Sequence, residues 1–590
     1  MIVWTLDPPS LQEAIGRHNA ILAVNHRTRY VRQLGIFGTV CTSQRYIEYR
    51  RTKPPPIEYK HPFLGEEYPF GECQRYKVHR NSRRGNTQKE RVARGWEPLK
   101  SFISQFPGLQ ELVWDSHDPI PRYILDSLLP ATRLVMPSFE LRSLYQHWDQ
   151  LHDIDPDDYA LATSVNLANI STYSDPYAGP GFASYMEEAL YLMVAGLAPN
   201  LRSVEISSRN VDAGDIDINQ MYGEGRPPWQ GFFAEEETPT PKGRGAIDRL
   251  AFLSKIAPEG ILDWESYIDF SKLKALEFHG NVYGETLLQE LTDLAEQGAF
   301  AGLQTFAINI GYDNEDIEDI EEAKDRNNLC TRLFSSLPPL HGLQLWKPTT
   351  REVKSTLLQR HGATLKKLHL GGIFSVEEVH ELHTTCPNLQ KLHICVKRTQ
   401  GDHHEVAVYK VLAKFPMLES LSLRLCITFD LTHEEESDKI KVAEQMRSDL
   451  ANAAIDESLA RSIFLLILRA HRAERPRMLT PFHHLSIEGV GLGHYFFHYV
   501  WDDVTEYLAA SWSLDLERAD VANEDCQIRE IGDSQRPQSY RASIYNYSQE
   551  NFDDWAHGEL IRPSWEAVWP EAKGRSDWIH VWNSFPLQIG

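Results

Sequence analysis

The residues best spaced for chemistry are two histidines and a cysteine near the middle of the chain. His380, His383 and Cys386 follow one another at intervals of three. On a helix the two histidines would share a face, and imidazole and thiolate are ligands that zinc prefers. A closed zinc site needs a fourth ligand, and Cys395 lies beyond the next apolar segment. We therefore interpret these residues as polar and small positions on an ordinary helix, and predict neither a metal nor another cofactor.

Other catalytic and ligand-binding motifs are absent or incomplete. HExxH, GxSxG and the P-loop do not occur. Residues 489–493 read Gly-Val-Gly-Leu-Gly, but the last glycine is misplaced for a dinucleotide fingerprint, so a turn is favoured. The acidic stretch from Asp313 to Glu322 lacks the glycine and the ligand order of a calcium loop, which favours a solvated loop. We predict no enzymatic activity, although a catalytic site assembled from dispersed residues would escape a motif search.

The charge balance limits the classes of partner. Sixty Lys+Arg against 83 Asp+Glu give a net charge of -23, which disfavours nucleic acid and anionic membranes as general ligands. One basic run opposes this trend, with Arg75, Lys77, Arg80, Arg83, Arg84, Lys89, Arg91 and Arg94 set against Glu90. A solvated insertion is the favoured interpretation, and a nuclear-import signal or a local nucleic-acid contact remains open.

Cysteine usage and hydropathy indicate a cytoplasmic or nuclear protein. The seven cysteines are odd in number, widely spread and free of CxxC pairs, a pattern typical of reduced thiols. The N-terminal segment has no basic region followed by an apolar run, so it does not predict a signal peptide. The longest apolar stretch, residues 463–468, is far shorter than the roughly twenty residues that span a bilayer.

One sequence pattern, which we call the recurring apolar phrase, predicts the strands that would position a binding site. In this phrase, apolar residues stand at the first, fourth and sixth positions. This is the front half of a leucine-rich repeat, whose last two apolar residues point inward from a short strand. Prolines precede several copies by two residues, as in Cys386-Pro-Asn-Leu389, and would end the preceding helix. The ten copies begin at Val31, Leu109, Leu201, Leu273, Leu303, Leu340, Leu365, Leu389, Leu418 and Phe482.

Spacing and helical patterns predict an α/β fold, an irregular leucine-rich-repeat-like solenoid with parallel strands on a concave wall and helices outside. The first positions from 273 to 418 are separated by 30, 37, 25, 24 and 29 residues, near the expected period. Between them, Ser375 and Glu378 form a capping box, and residues 406–414 and 286–297 have one apolar helical face. Longer gaps elsewhere require insertions.

The predicted boundaries are a first strand region at 1–42, a basic and proline-rich insertion at 43–100 and a solenoid at 101–490. The solenoid contains a flexible loop at 207–245, rich in proline and glutamate. Residues 491–590 hold seven of the 14 tryptophans, and we interpret them as a C-terminal cap over the open end of the solenoid rather than as a ligand groove.

Two stretches resemble a group of fungal F-box and leucine-rich-repeat proteins. One begins at residues 109–114, Leu-Gln-Glu-Leu-Val-Trp, and continues through residues 120–128 and 133–144; the other is residues 194–203. The resemblance implies an α/β solenoid and, in the full family pattern, the substrate receptor of a cullin-type ubiquitin ligase. Residues 1–42 depart from that pattern, because Leu6-Asp-Pro-Pro leads almost directly into the first candidate strand and no F-box is recognisable.

The function predicted from these observations is recognition of another protein, of unknown identity. It would be a ubiquitin-ligase substrate receptor contacting a cullin-linked adaptor if an F-box exists, or alternatively a freestanding scaffold or inhibitor. Side chains beside the buried strand residues would face the partner, and adjacent strands would align them in rows. The predicted partner-binding residues of this concave wall are Trp346, Lys367, His369, Lys391, His393, Ser422 and Arg424.

Overall fold

A computed structural model provides the structure of this protein. It describes residues 2–6, 11–38, 86–116, 118–147, 152–174, 177–179, 182–208, 227–233, 243–253, 260–281, 285–310, 320–427, 438–474, 482–490, 499–516, 526–531 and 558–589. These residues divide into two compact units. The first comprises Met1–Leu303 and Ala307–Asn314, and the second comprises Gln304–Phe306 and Glu315–Gly590.

The first unit is a mixed α/β structure built on a parallel sheet. Strands β1-β2-β3-β4-β6-β9-β10-β11 lie side by side in that order, while β5, β8 and β7 form a small antiparallel sheet. The strands are β1 Ile2–Leu6, β2 Gln33–Gly38, β3 Glu111–Ser116, β4 Arg133–Phe139, β5 Tyr145–His147, β6 Leu167–Ser174, β7 Tyr177–Gly179, β8 Phe182–Ser184, β9 Ser203–Ser208, β10 Arg249–Phe252 and β11 Ala275–Asn281. The helices are α1 Leu11–Ala23, α2 Asn86–Ile103, α3 Arg122–Leu125, α4 Pro156–Ala162, α5 Met186–Leu192, α6 Gly260–Glu265 and α7 Glu285–Glu296.

The second unit repeats this architecture and ends differently. Its strands β13 to β17 are parallel neighbours in sequence order, and β18 and β19 then add antiparallel. The strands are β13 Gly342–Leu345, β14 Lys367–Ile373, β15 Lys391–Lys397, β16 Ser420–Cys426, β17 His484–Val490, β18 Ser511–Leu516 and β19 Cys526–Ile531, while β12 Thr305–Asn309 contributes residues to both units. The helices are α8 Ile320–Ser336, α9 Arg351–His361, α10 Val376–Thr385, α11 His403–Leu412, α12 Lys439–Ala453, α13 Glu457–Glu474, α14 Tyr499–Leu508 and α15 Ile561–Val568.

The recurring apolar phrase produces the core of the second unit. Its last two apolar positions lie in register across five parallel strands, so that Leu368 stands between Leu343 and Leu392. All ten of these side chains are at most 3% exposed: Leu343, Leu345, Leu368, Leu370, Leu392, Ile394, Leu421, Leu423, Leu485 and Ile487. Because successive strand residues point to opposite faces, the polar residues between them lie on the other face of the sheet.

The joints between successive strands also repeat. The carbonyl oxygen of His341 accepts hydrogen bonds from the Lys366 and Lys367 amides at 2.8 and 3.0 Å. The Lys366 oxygen does the same for Gln390 and Lys391 at 2.8 and 2.9 Å. This joint recurs because each lead-in turn brings the chain to the next strand in the same way.

The predicted helices are confirmed within one to three residues at each end. The capping box of α10 is formed, with Ser375 accepting from the Glu378 amide and the Glu378 carboxylate accepting from the Ser375 amide. Helices α7 and α11 occupy the two segments whose apolar faces indicated helices. None of the helices within the described ranges is long and apolar enough to cross a membrane.

The structure adds detail to the predicted boundaries. Residues 43–85 lie outside the described ranges, but the end of that predicted insertion belongs to α2, which buries Trp96 and Leu99 completely. Within the predicted loop 207–245, residues 207–208, 227–233 and 243–245 are described, and the first two belong to β9 and not to a loop. There Phe232 is 1% exposed and its carbonyl oxygen accepts from the Ile154 amide at 2.8 Å.

Most of the C-terminal tryptophans lie in one hydrophobic cluster. Trp501, Trp565, Trp569 and Trp578 pack with residues of α12 and α14, and Trp582 packs against the cluster from its edge. Trp555 lies outside the described residues. These contacts give the tryptophans a packing role within the second unit, and the cap over a solenoid end stays a prediction.

Candidate functional site

The polar face of strands β13 to β17 carries the predicted binding residues in rows, and we call this surface the wall face. One row consists of Lys367, Lys391, Ser420 and His484. The next consists of Gln344, His369, His393, Ser422 and Ser486. The third contains Cys395, Arg424 and Glu488. The structure therefore brings together the residues that the strand pattern placed side by side.

Three aromatic rings stack across neighbouring strands of the wall face. The His369 and His393 rings are nearly parallel, with 3.8 Å between their centroids. Trp346, which follows β13 directly, meets the His369 ring edge-on at 5.7 Å. The close ring spacing follows from the register, because parallel strands about 4.8 Å apart put equivalent side chains in contact.

Both stacked histidines are held in the neutral form. Burial lowers the pKa of His369 to about 4, with a further contribution from the Arg424 charge. Burial lowers the pKa of His393 to about 2, with contributions from His369 and then Arg424. At neutral pH the pair therefore offers neutral imidazoles beside a fixed guanidinium, and not the protonated cluster that a histidine row first suggests.

Among the residues that the structure describes, Arg424 forms an ion pair with the carboxylate of Glu488 on the adjacent strand. The Arg424 Nε atom lies 3.2 Å from a Glu488 oxygen, and the two side chains are 35% and 46% exposed. That Nε atom is buried and has no hydrogen bond of good geometry among the described residues, and the same is true of His393 Nε2. The wall face thus contains two polar nitrogens for which the described part of the chain supplies no well-formed hydrogen bond.

Two cysteines lie at the edge of the same cluster. A hydrogen bond from the Cys426 thiol lowers the pKa of Cys395, against the effect of burial and with help from Arg424. The same bond raises the pKa of Cys426, to which burial also contributes. Cys395 is 5% exposed and Cys426 is partly exposed, so the Cys395 thiol is the less accessible of the two to reagents.

The predicted lysines occupy the rim of the wall face. Lys367 is exposed and Lys391 is half-buried, and they pair in register on β14 and β15. Lys397 lies on the same face of β15, because it is separated from Lys391 by an even number of residues. With Arg424 these residues give the face four fixed positive charges, against the single carboxylate of Glu488 on strands β13 to β17.

The equivalent positions in the first unit are occupied by charges that satisfy one another. Arg249 lies 3.0 Å from Glu205 and 2.6 Å from Glu277, and His279 lies 2.9 Å from Glu277. Burial opposes ionisation of Glu277, but the hydrogen bond from His279 and the Arg249 charge lower its pKa to about 2. The polar groups of this ladder already contact one another, which makes the wall face of the second unit the better candidate for a binding site.

The zinc-like triplet does not form a site. The His380 and His383 rings are 6.0 Å apart, and His383 packs edge-on against Phe415 at 5.4 Å. Cys386 is buried, which raises the pKa of its thiol to about 11, so it is not a ready metal ligand. Among the residues that the structure describes, no group of three or more His, Cys, Asp or Glu could hold a metal ion.

Glu488 and the cysteine pair were missed by the sequence interpretation. The alternation that places Leu485 and Ile487 inside the core also places Glu488 on the wall face, so applying the same alternation to the next residue of β17 would have found it.

Comparisons with known proteins add no assignment: neither a search with models of protein families nor a search of curated proteins finds a match for this chain.

Proposed function

We propose that this chain is a leucine-rich-repeat-like protein-binding module whose partner docks on the wall face of the second unit. The observation that carries the proposal is the alignment of Trp346, His369, His393 and Arg424 into one continuous surface on neighbouring strands. Aromatic and arginine side chains dominate the energetics of protein interfaces. A row built from successive repeats gives a partner an extended surface to contact.

The repeat interpretation is supported by the joints between strands. The Asn388 side chain, in a Pro-Asn-Leu lead-in, donates to the Ala363 carbonyl oxygen at 2.8 Å. Asn200, in the same phrase of the first unit, donates to the Val165 oxygen at 2.7 Å. Identical short phrases making identical contacts are what a repeat protein requires.

The role as a ubiquitin-ligase substrate receptor rests on the family resemblance. A freestanding scaffold or inhibitor would use the same wall face, so the two proposals differ in the adaptor and not in the surface. Co-purification with a cullin-linked adaptor supports the receptor role. Its failure, together with an upstream coding sequence that lacks an F-box, would leave the scaffold.

The docking surface is tested by affinity purification of the full chain followed by mass spectrometry. Trp346→Ala and Lys367→Gln should each deplete the captured partner, because they remove an anchor and a charge from the wall face. Lys410→Gln is the matched control, since Lys410 is an exposed lysine on helix α11. Equal capture by all three variants would refute the wall face as the docking surface, provided that their melting temperatures match that of the original chain.

A further inference from the structure

The charge on the wall face is opposite in sign to that of the chain as a whole. Lys367, Lys391, Lys397 and Arg424 lie on strands β14 to β16, whereas the whole chain has a net charge of -23. Positive charges gathered on one face of an acidic protein attract an anionic ligand to that face.

The Glu488 carboxylate, which pairs with Arg424, is weakly held. The Arg424 Nε and a Glu488 oxygen are 3.2 Å apart and both side chains are more than a third exposed, so solvent screening leaves the pair with little net contribution to stability. The contact also leaves the buried Arg424 Nε without a hydrogen bond of good geometry. A carboxylate approaching from outside could take the place of Glu488 at small cost and bind the planar guanidinium through two nitrogens.

We propose that the wall face binds an acidic segment of a partner protein, and that Arg424 exchanges the Glu488 carboxylate for an aspartate or glutamate of that segment. Lys367 and Lys391 add charge at the rim, and Trp346, against His369 at the β13 side of the face, supplies an apolar contact for another part of the segment. This inference rests on the proposed function and specifies the chemistry of its partner. Glu488 acts as an internal competitor that holds the guanidinium in position before the partner arrives.

The exchange has an unusual consequence, namely that removing Glu488 tightens binding. Glu488→Gln takes away both the competing carboxylate and a negative charge that repels the ligand, at nearly constant side-chain shape. One charge interaction of this kind near a protein surface corresponds to an increase in affinity of about threefold to tenfold. A gain of binding at an unchanged melting temperature is not explained by loss of folded protein, which keeps the test informative even if loss-of-charge variants are unstable.

The experiment measures fluorescence anisotropy of the full chain with a labelled decapeptide of alternating glutamate and glycine. The glutamine version of the peptide is the ligand control, and low ionic strength makes weak binding visible. We expect the glutamate peptide to bind more tightly than the glutamine peptide. Arg424→Gln should weaken binding about tenfold and Glu488→Gln should strengthen it about threefold to tenfold. Glu381→Gln is the matched control for Glu488→Gln, because it removes the same charge from an exposed position on α10.

Three results would overturn the inference. The glutamate and glutamine peptides could bind equally well, or Glu488→Gln and Glu381→Gln could change the affinity equally. The third is that a ten-nucleotide oligothymidylate binds more tightly than the glutamate peptide. The last result would favour nucleic acid as the ligand. If the peptides fail while Trp346→Ala and Lys367→Gln still deplete a captured protein, only the acidic chemistry is refuted. If neither assay responds, the proposed function fails as well.

Discussion

A buried ion pair ties the C-terminal segment to the strand that carries the second histidine of the wall face. Arg398, directly after β15, is fully buried, and its Nη1 lies 2.7 Å from both carboxylate oxygens of Glu405. The Arg398 Nη2 donates to the Phe585 carbonyl oxygen at 3.2 Å. Glu405 also accepts from the Gly401 amide at 2.9 Å and from the Tyr409 hydroxyl at 2.8 Å. Arg398 therefore joins the C-terminal segment to a charge pair formed between the end of β15 and α11.

Replacing Arg398 by methionine should destabilise the second unit by about 3 kcal/mol. Breaking a buried ion pair by removing one partner costs about 3–5 kcal/mol, because the other charge is left buried. We expect the lower end of that range, since Glu405 keeps its amide and hydroxyl donors. Adding Glu405→Gln to Arg398→Met should recover about 1–2 kcal/mol, because the orphaned charge disappears.

The assay is urea unfolding of the full chain followed by tryptophan fluorescence, together with amide hydrogen exchange of residues 585–589. The Gln588 amide donates to the Gly401 oxygen at 2.7 Å, so loss of Arg398 should also speed exchange at this segment. Arg447→Met, at an exposed position on α12, is the control and should change stability by less than about 0.5 kcal/mol. A loss below about 1 kcal/mol for Arg398→Met, or a double variant less stable than the single one, would refute this account.

Three further changes should have measurable effects on stability. A methyl group at Gly371 would lie 2.2 Å from the Trp346 carbonyl oxygen, so Gly371→Ala should lower the melting temperature and cost about 1–3 kcal/mol, whereas Gly243→Ala, with open space around it, should not. His361 is fully buried, and burial lowers its pKa to about 4, below the usual 6.5. As the pH falls, the unfolded chain therefore binds a proton at this histidine before the folded chain does. The free energy of unfolding should decrease as the pH falls from 6.5 towards 4. In His361→Gln the decrease in the free energy of unfolding between pH 6.5 and pH 4, measured by urea titration, should be smaller. An unchanged pH dependence would contradict this role of His361. Trp565→Ala should cost about 3–5 kcal/mol in the same titration, because Trp565 is fully buried in the C-terminal cluster, and a loss under about 1 kcal/mol would contradict that packing.

Much of the second unit could be predicted because its structure is local and periodic. Leu368 and Leu370 point into the core, whereas His369 lies on the opposite face and is only partly covered, as expected for a strand with alternating faces. Ser375 and Glu378 begin α10 because a capping box needs only two side chains three residues apart. The rows of the wall face follow from the same alternation once parallel neighbours are assumed, which is why Lys367 and Lys391 pair as expected.

The antiparallel strands β18 and β19 and the packing of residues 227–233 were not predicted, because neither follows the repeat. β18 pairs with β17 through positions such as Ile487 and Trp512, and no local phrase specifies an antiparallel partner. Phe232 is buried by contacts with residues more than seventy positions earlier in the chain, including Tyr159 at 5.5 Å between ring centroids. Composition indicated a loop there, and burial of aromatic rings outweighed that local signal.

The sequence by itself determined the strand phrase, the helices between the strands and the residue types of the wall face, because these depend on spacing along the chain. Tertiary structure alone decided the chemical state of that face. The histidines are neutral because they are buried against each other and beside Arg424. Glu488 comes from a strand 64 positions beyond Arg424, and Arg398 reaches a carbonyl oxygen 187 positions away. Such pairings depend on side-chain distances of a few ångströms between distant segments, and no spacing rule along the chain encodes them.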